Sequence, residues 1–476
     1  MKLYHGILVA AAFSIQSIIA QAQMSQPQYS NYHWRSSNTQ AQSPLYRSTS
    51  TGVNSTEPEI SRGANYFESV REYYDANVSP SDRWQDLAPL EGGNTAADQT
   101  VEFSDRLFAG NPQIPTPPRS AATWENRPAL SVRDRGDLPP DSDQGWCRLG
   151  PERKLFPTSG NGFSFGGWNQ MGYHTDVTDL FNDRPDRFNL HQQWFYFEKQ
   201  GMAHSPWGFR ADLVYGIDGQ QIQAFGNPPT GAPTGWDNDW DFGSYGWAFP
   251  QLYASYQNCN WHIKAGRFFA PFGFEHIPSA RNFFYTRSFA RNFLEPYGMT
   301  GILAERQINE SRSILVGVTT GWDTAFDQNN SGLTAITGTR FQLSDNVFFS
   351  STGSWGNTGF RGDGVMSSNY LEVALSKQTY YVLQGDVFDF DETHGFSIIH
   401  YLFHQFNPCL QAGARLEWWK TNQIFPTNRS TWSLTNGINY RPTANFTLRP
   451  EARLDWGAGA TDSGRMLFGV DGIWTF

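Results

Sequence analysis

Apolar and polar positions alternate along residues 446–456. Phe446, Leu448, Ala452, Leu454 and Trp456 fall on one face, and Thr447, Arg449, Glu451, Arg453 and Asp455 on the other. Trp207, Phe209, Ala211, Leu213, Tyr215 and Ile217 likewise oppose Arg210, Asp212 and Asp218, and Leu410 to Trp418 alternates with Gln411, Arg415 and Glu417. In Arg465 to Phe476 the even positions are nearly all apolar, while Leu467 and Ile473 blur the odd face. A period of two marks a strand with one apolar and one polar side. About sixteen such segments are predicted, near residues 163–174, 188–199, 207–218, 248–257, 260–269, 298–307, 312–322, 333–343, 346–356, 369–377, 379–388, 395–406, 409–420, 431–441, 445–456 and 465–476. Each is close to the 9–11 residues with which a tilted strand crosses a bilayer.

The connections alternate in length. Short ones such as Gln257-Asn258, Ser344-Asp345, Lys377-Gln378, Asn407-Pro408 and Arg441 to Ala444 take turns with Gly219 to Trp247, Pro271 to Tyr297, Trp322 to Gly332, Asn357 to Ser368 and Lys420 to Ser430. Short turns at one end and long loops at the other are the plan of an outer-membrane barrel. An even strand number puts both barrel ends on the short-turn, periplasmic side. Aromatic positions form two girdles on this threading: Trp207, Tyr440, Phe446 and Phe476 at the short-turn end, Trp418, Trp432 and Trp456 at the long-loop end. The expected fold is an all-β transmembrane antiparallel β-barrel of about sixteen strands over residues 147–476, preceded by a largely disordered extension.

That extension has its own parts. Met1-Lys2, an apolar run from Gly6 to Ala20 and the small residues Ala20 and Ala22 read as a secretory signal peptide over 1–22, cleaved after Ala22. Residues 23–145 are polar, Pro-rich and low in aliphatics, a composition that cannot offset chain entropy and predicts disorder in the periplasm. Within them 65–78 has helical spacing of Tyr66, Val70, Tyr73 and Tyr74.

Composition supports the strand reading. Aromatics reach 16% and charged residues only 17%, against about 25% in soluble chains. The net charge of −10 removes the electrostatic case for nucleic acid. Cys147, Cys259 and Cys409 all map to the oxidising periplasmic end. Cys259 and Cys409 lie about 30 Å apart at about 4.8 Å per strand, so only Cys147 could reach either partner; three free thiols is the competing reading.

The segments Gly167-Trp168-Asn169, Arg187-Phe188-Asn189-Leu190, Trp207-Gly208-Phe209 through Tyr215-Gly216-Ile217-Asp218, and Lys264-Ala265-Gly266-Arg267-Phe268 through Phe272-Gly273-Phe274-Glu275 resemble the OmpL-like beta-barrel porin-2 family. The resemblance covers roughly 147–476 and implies an outer-membrane pore without catalytic residues.

With lipid outside and water inside, the charged face lines the lumen. The expected lining residues are Arg210, Asp212, Arg340, Asp386, Arg415, Glu417, Arg449, Glu451, Arg453, Asp455, Arg465 and Asp471. Six are Arg and six acidic, so strong charge selectivity does not follow; cross-strand pairing that stabilises the wall is an equal reading. The third external connection carries Glu275, Arg281, Arg287, Arg291 and Glu295 and is expected to fold inward as a constriction, its Arg excess favouring anionic or neutral solutes. Asp237-Asn238-Asp239-Trp240-Asp241 begins like a calcium loop, but Phe242 and Ala248 stand where Gly and Glu belong. His400 and His404 are about 13 Å apart along a strand and cannot share a metal. No cofactor or metal is expected.

The reading is a porin for passive diffusion of small hydrophilic solutes or ions. Its expected partners are outer-membrane lipid, the barrel assembly machinery through the Phe476 strand, and two further copies in a homotrimer. Two alternatives keep the barrel: a lipase- or protease-type enzyme using a Ser with His394, His400 or His404, and a structural barrel that anchors the envelope through its tail.

Overall fold

The computed structural model describes residues 147, 149, 154–155 and 162–476, apart from breaks at 179, 203–204, 225–235, 238–239, 328–331, 360, 392, 423–428 and 458–463. The signal peptide with Ala20 and Ala22, the extension 23–145 and the helix expected at 65–78 lie outside the described residues.

Sixteen strands form the wall: β1 Phe163–His174, β2 Phe188–Lys199, β3 Trp207–Gly216, β4 Tyr245–Gln257, β5 Trp261–Phe269, β6 Gly298–Asn309, β7 Arg312–Thr319 and β8 Leu333–Ser344 make the first half. The second half is β9 Val347–Asn357, β10 Asp363–Ala374, β11 Thr379–Phe390, β12 Thr393–Asn407, β13 Leu410–Thr421, β14 Arg429–Thr443, β15 Phe446–Gly457 and β16 Arg465–Thr475. A two-residue ladder, Asp241–Phe242, extends β4. Each strand pairs antiparallel with its sequence neighbour, and β1 pairs with β16 from Trp168↔Thr475 to His174↔Gly469. The cylinder therefore closes and leaves no edge, the condition for strands in a bilayer.

Burial fixes which side is which. On the apolar face Ile302 and Val318 are 57% and 54% exposed, whereas Arg415 and Glu417 on the polar face are 0% exposed. A water-soluble sandwich would bury the aliphatics; a barrel in lipid turns them out. On β16 the even residues Met466, Phe468 and Trp474 point outward, while Leu467 and Ile473 are buried inside.

Two boundaries depart from the sequence expectation. The third strand ends at Gly216 rather than 218, and Ile217–Ile222 forms a short helix, α1, buried on most of its residues. Gly216 makes the turn with φ 147°, and a Cβ there would lie 2.1 Å from the His191 carbonyl oxygen. The tenth strand starts at Asp363 rather than 369, shrinking its loop, because Ser367 and Asn369 face outward where apolar residues were sought.

Candidate functional site

The connection between β5 and β6, Ala270 to Tyr297, lies against the inner wall. It contains a single 3₁₀ turn, Ser279–Arg281, and a π turn, Ala290–Leu294. An amide taken out of water needs an acceptor, and here the wall supplies them. Gly273 N donates to Ser368 Oγ on β10 (3.0 Å) and Phe274 N to Gln384 Oε1 on β11 (2.8 Å). Phe289 N and Ala290 N donate to the two oxygens of Glu417 on β13 at 2.7 and 2.8 Å. Tyr285 N donates to Glu451 on β15 (2.8 Å), which also takes the Thr286 hydroxyl, and Ser279 N reaches Gln192 Oε1 on β2 (3.1 Å).

Arginines hold the loop's carbonyls. Arg415 pairs with Glu275 at 2.6 Å and donates to Thr286 O at 2.8 Å. Arg449 bonds Asp471 across the strand pair (2.9 Å) and donates to the carbonyls of Ser279 and Asn282 at 2.9 and 2.6 Å. Arg453 bonds Asp455 and Arg287 O, both at 2.8 Å. Within the loop Arg291 pairs with Glu295 at 2.5 Å, and Arg287 donates to Ile277 O and lies 3.5 Å from Asp218. Glu275 shows the electrostatic outcome. Burial pushes its pKa up, but Arg415 and the Ser288 amide outweigh burial and hold it below the ordinary carboxyl range.

Shape reinforces the polar grip. Phe283, Phe284 and Tyr285 are consecutive knobs seated over wall glycines. A Cβ at Gly413 would lie 2.6 Å from the Phe283 ring, one at Gly437 3.2 Å from Phe284, and ones at Gly172 and Gly469 2.7 and 2.8 Å from Tyr285. Phe283 also packs on Phe403 at 4.9 Å, and Phe289 and Phe293 stack on Trp419 at 5.1 and 5.2 Å. Tyr285 is tied to α1 through His191, which lies 2.6 Å from its hydroxyl and 3.1 Å from Asp218.

Six of the expected lining residues thus converge on the loop: Arg415, Glu417, Arg449, Glu451, Arg453 and, through Arg449, Asp471. Asp455 supports Arg453, and Asp386 accepts from Gln384 at 2.8 Å. Arg210 sits elsewhere, between Asp212 (2.7 Å) and Glu198 (3.5 Å), with Arg340 inward and buried on β8. Arg465 pairs with Asp176 at the long-loop rim (2.6 Å). All but Arg465 are largely buried, and of the loop arginines only Arg281 is half-exposed. Sequence reasoning missed Gln192, Ser368, Gln384, Asp218 and Glu198. The uncharged three carry no charge signal, and only their inward parity could have marked them.

The outer features take their places. Trp418, Trp432 and Trp456 stack across β13, β14 and β15 with centroids 5.6 and 6.3 Å apart. Trp207, Tyr440 and Phe446 stand at the opposite end, where Phe476 N bonds Gly167 O at 3.0 Å. Cys147 is bridged to Cys409 with Cα atoms 5.8 Å apart, and Cys259 is free and exposed. Leu149 O accepts Ala444 N, so the chain before β1 runs beneath the turns that follow β12 and β14. The bridge rules out three free thiols. His400 and His404 face outward, bonded to Tyr381 and Thr379 hydroxyls.

Two buried external carboxyls secure the loops outside the barrel. Asp237 accepts Ala224 N and Phe249 N, both at 2.7 Å, and Asp323 accepts Tyr297 N and Gly298 N, both at 2.8 Å. Burial raises each pKa to about 6 against the pull of Arg267 and these amides.

A search of curated proteins finds no match. Among solved structures the chain is similar to the outer membrane channel DcaP of Acinetobacter baumannii, with TM-score 0.45 and 9% identity over 66% of this chain and 97% of that one. It is also similar to OprB of Pseudomonas putida, with TM-score 0.46 and 12% identity over 66% and 94%. A third is an anion-selective porin from Comamonas acidovorans, with TM-score 0.44 and 12% identity over 66% and 99%. The model of the family described as beta-barrel porin-2, OmpL-like, matches residues 162–476, which take in every strand of the closed cylinder and the loop clamped inside it. The chain belongs to the OmpL-like beta-barrel porin-2 family, a group of bacterial outer-membrane barrels.

Proposed function

We propose that this barrel is a narrow passive-diffusion pore for small hydrophilic solutes or ions. The observation that carries the reading is the loop from Ala270 to Tyr297, held against the inner wall by Glu417, Glu451, Arg415 and Arg449. A loop anchored at so many points narrows the lumen as a fixed constriction rather than a mobile flap, and such a pore passes solutes down their gradients without turnover. Buried pairing of Arg287 and Arg291 takes most of the arginine charge out of play. The proposed pore therefore selects weakly by charge, and any anion preference rests on Arg281. Both barrel ends lie on the short-turn side, which supports an extension in the periplasm. The closing strand that ends at Phe476 is the segment proposed to engage the barrel assembly machinery. Purified protein, with and without residues 23–145, should give discrete current steps in a planar bilayer. Silence from both forms would contradict the pore, hydrolysis in their place would support the enzyme alternative, and envelope binding by the tail the structural one.

A further inference from the structure

The outward face carries one polar island. In one row across the strands stand Ile314, Thr339, Ser351, Asn369, Gly385 and Ile398, and in the next Val316, Thr337, Gly353, Ser367 and Val387. Thr337, Thr339, Ser351, Gly353, Ser367 and Asn369 therefore make a contiguous block on β8, β9 and β10, each near the middle of its strand. Ala335, Trp355 and Val365 border it on the extracellular side, and Phe341, Phe349 and Leu371 on the periplasmic side. At the same height β7, β13, β15 and β16 present Ile, Val, Ala, Leu and Phe. Hydroxyls and an amide at mid-membrane face acyl chains that cannot hydrogen-bond. The bonds from Ser351 Oγ to Asn369 Oδ1 (2.6 Å) and from Asn369 Nδ2 to Ser367 Oγ (3.0 Å) knit the block together without making it apolar.

We infer that this block is the contact face for a second copy of the chain, meeting the same block across a two-fold axis. The inference rests on the strands spanning a bilayer, but not on conduction. Thr and Ser hydroxyls and the Asn amide both donate and accept, so the face is complementary to itself. Its small side chains, rimmed by Phe341, Phe349 and Trp355, let two walls approach closely, as small residues do between helices in membranes. From Ile314 to Ile398 the face is about 24 Å wide at ~4.8 Å per strand, and it is about 20 Å tall at ~3.3 Å per residue. That is about 500 Å² on each copy and about 1,000 Å² in the pair, the size at which specific interfaces begin.

The full chain carrying Cys259→Ser with Ser351→Cys, kept in lipid vesicles under mild oxidant, should form a covalent dimer. The same background with Val470→Cys, on the apolar face of β16, should not. Native mass spectrometry of the unmodified protein should show dimers, and Ser351→Leu with Asn369→Leu should weaken them at least tenfold. Heat-shifted migration on gels confirms that each variant is a folded barrel, separately from any current measurement. A monomer in native mass spectra would overturn the inference. So would an oligomer that neither cross-links through position 351 nor responds to the leucine pair.

Discussion

Glu417 and Glu451 project from β13 and β15 into the barrel, and their oxygens are spent on amides of a loop more than a hundred residues away in sequence. Removing such an acceptor strands buried N–H groups, which costs about 2–4 kcal/mol when the acceptor is charged. Glu417→Ala should lower the thermal midpoint in detergent and free the Phe289–Ala290 turn, seen as larger and noisier conductance steps. Gly469→Val tests the shape term. Its added side chain would push into Tyr285, an overpacking of about 1–3 kcal/mol, and the same loop should loosen from the other side. The alternating pattern singled out Arg415, Glu417, Arg449, Glu451, Arg453 and Asp471 correctly as inward residues. It could not show what they hold, because strand periodicity carries no information on contacts across 128 or 170 residues. Gln192, Ser368 and Gln384 were invisible for a simpler reason: an uncharged polar residue is equally at home on a turn or a wall.

Sixteen strands were legible because fifteen turn or loop signals separate faces of opposite polarity. The failures at element scale are local. The tenth strand starts six residues early because its outward Ser367 and Asn369 break the apolar period, and α1 replaces a strand end because Gly216 redirects the chain. Outside the wall, Trp236 N bonds Asp327 and its ring packs on Phe326 at 5.0 Å, joining the connections after β3 and β7. Asp237 and Asp323 bind a proton more tightly in the folded protein than in the unfolded chain. Their ionisation penalty is fully present above about pH 6 and is gone below the ordinary value of 3.8, so these loops gain stability as pH falls through that window. Limited proteolysis of the long loops should be slower at pH 5 than at pH 7.5. Asp237→Asn with Asp323→Asn should flatten that difference; a pH dependence unchanged in the double variant would contradict the assignment.

Over the whole molecule the covalent bond is the most distant contact, joining Cys147 to Cys409 across 262 residues and skipping Cys259. In an unfolded chain shorter loops close more readily, and loop-closure weights give the native pair about one in seven of single disulfides. Oxidising the unfolded chain without a thiol present should therefore trap mostly bonds to Cys259. Cys259→Ser should give the native bond without reshuffling, as peptide mapping would show; a native bond formed at once in the unaltered chain would contradict this. The barrel itself follows from one arrangement, apolar residues to lipid and charged residues inward onto a clamped loop. Single-channel conductance in planar bilayers tests it most directly, comparing the natural chain with Glu417→Ala plus Glu451→Ala. Small, uniform steps that become larger and irregular in the double variant are expected. Identical steps from both proteins would contradict a loop held by these carboxylates as the constriction.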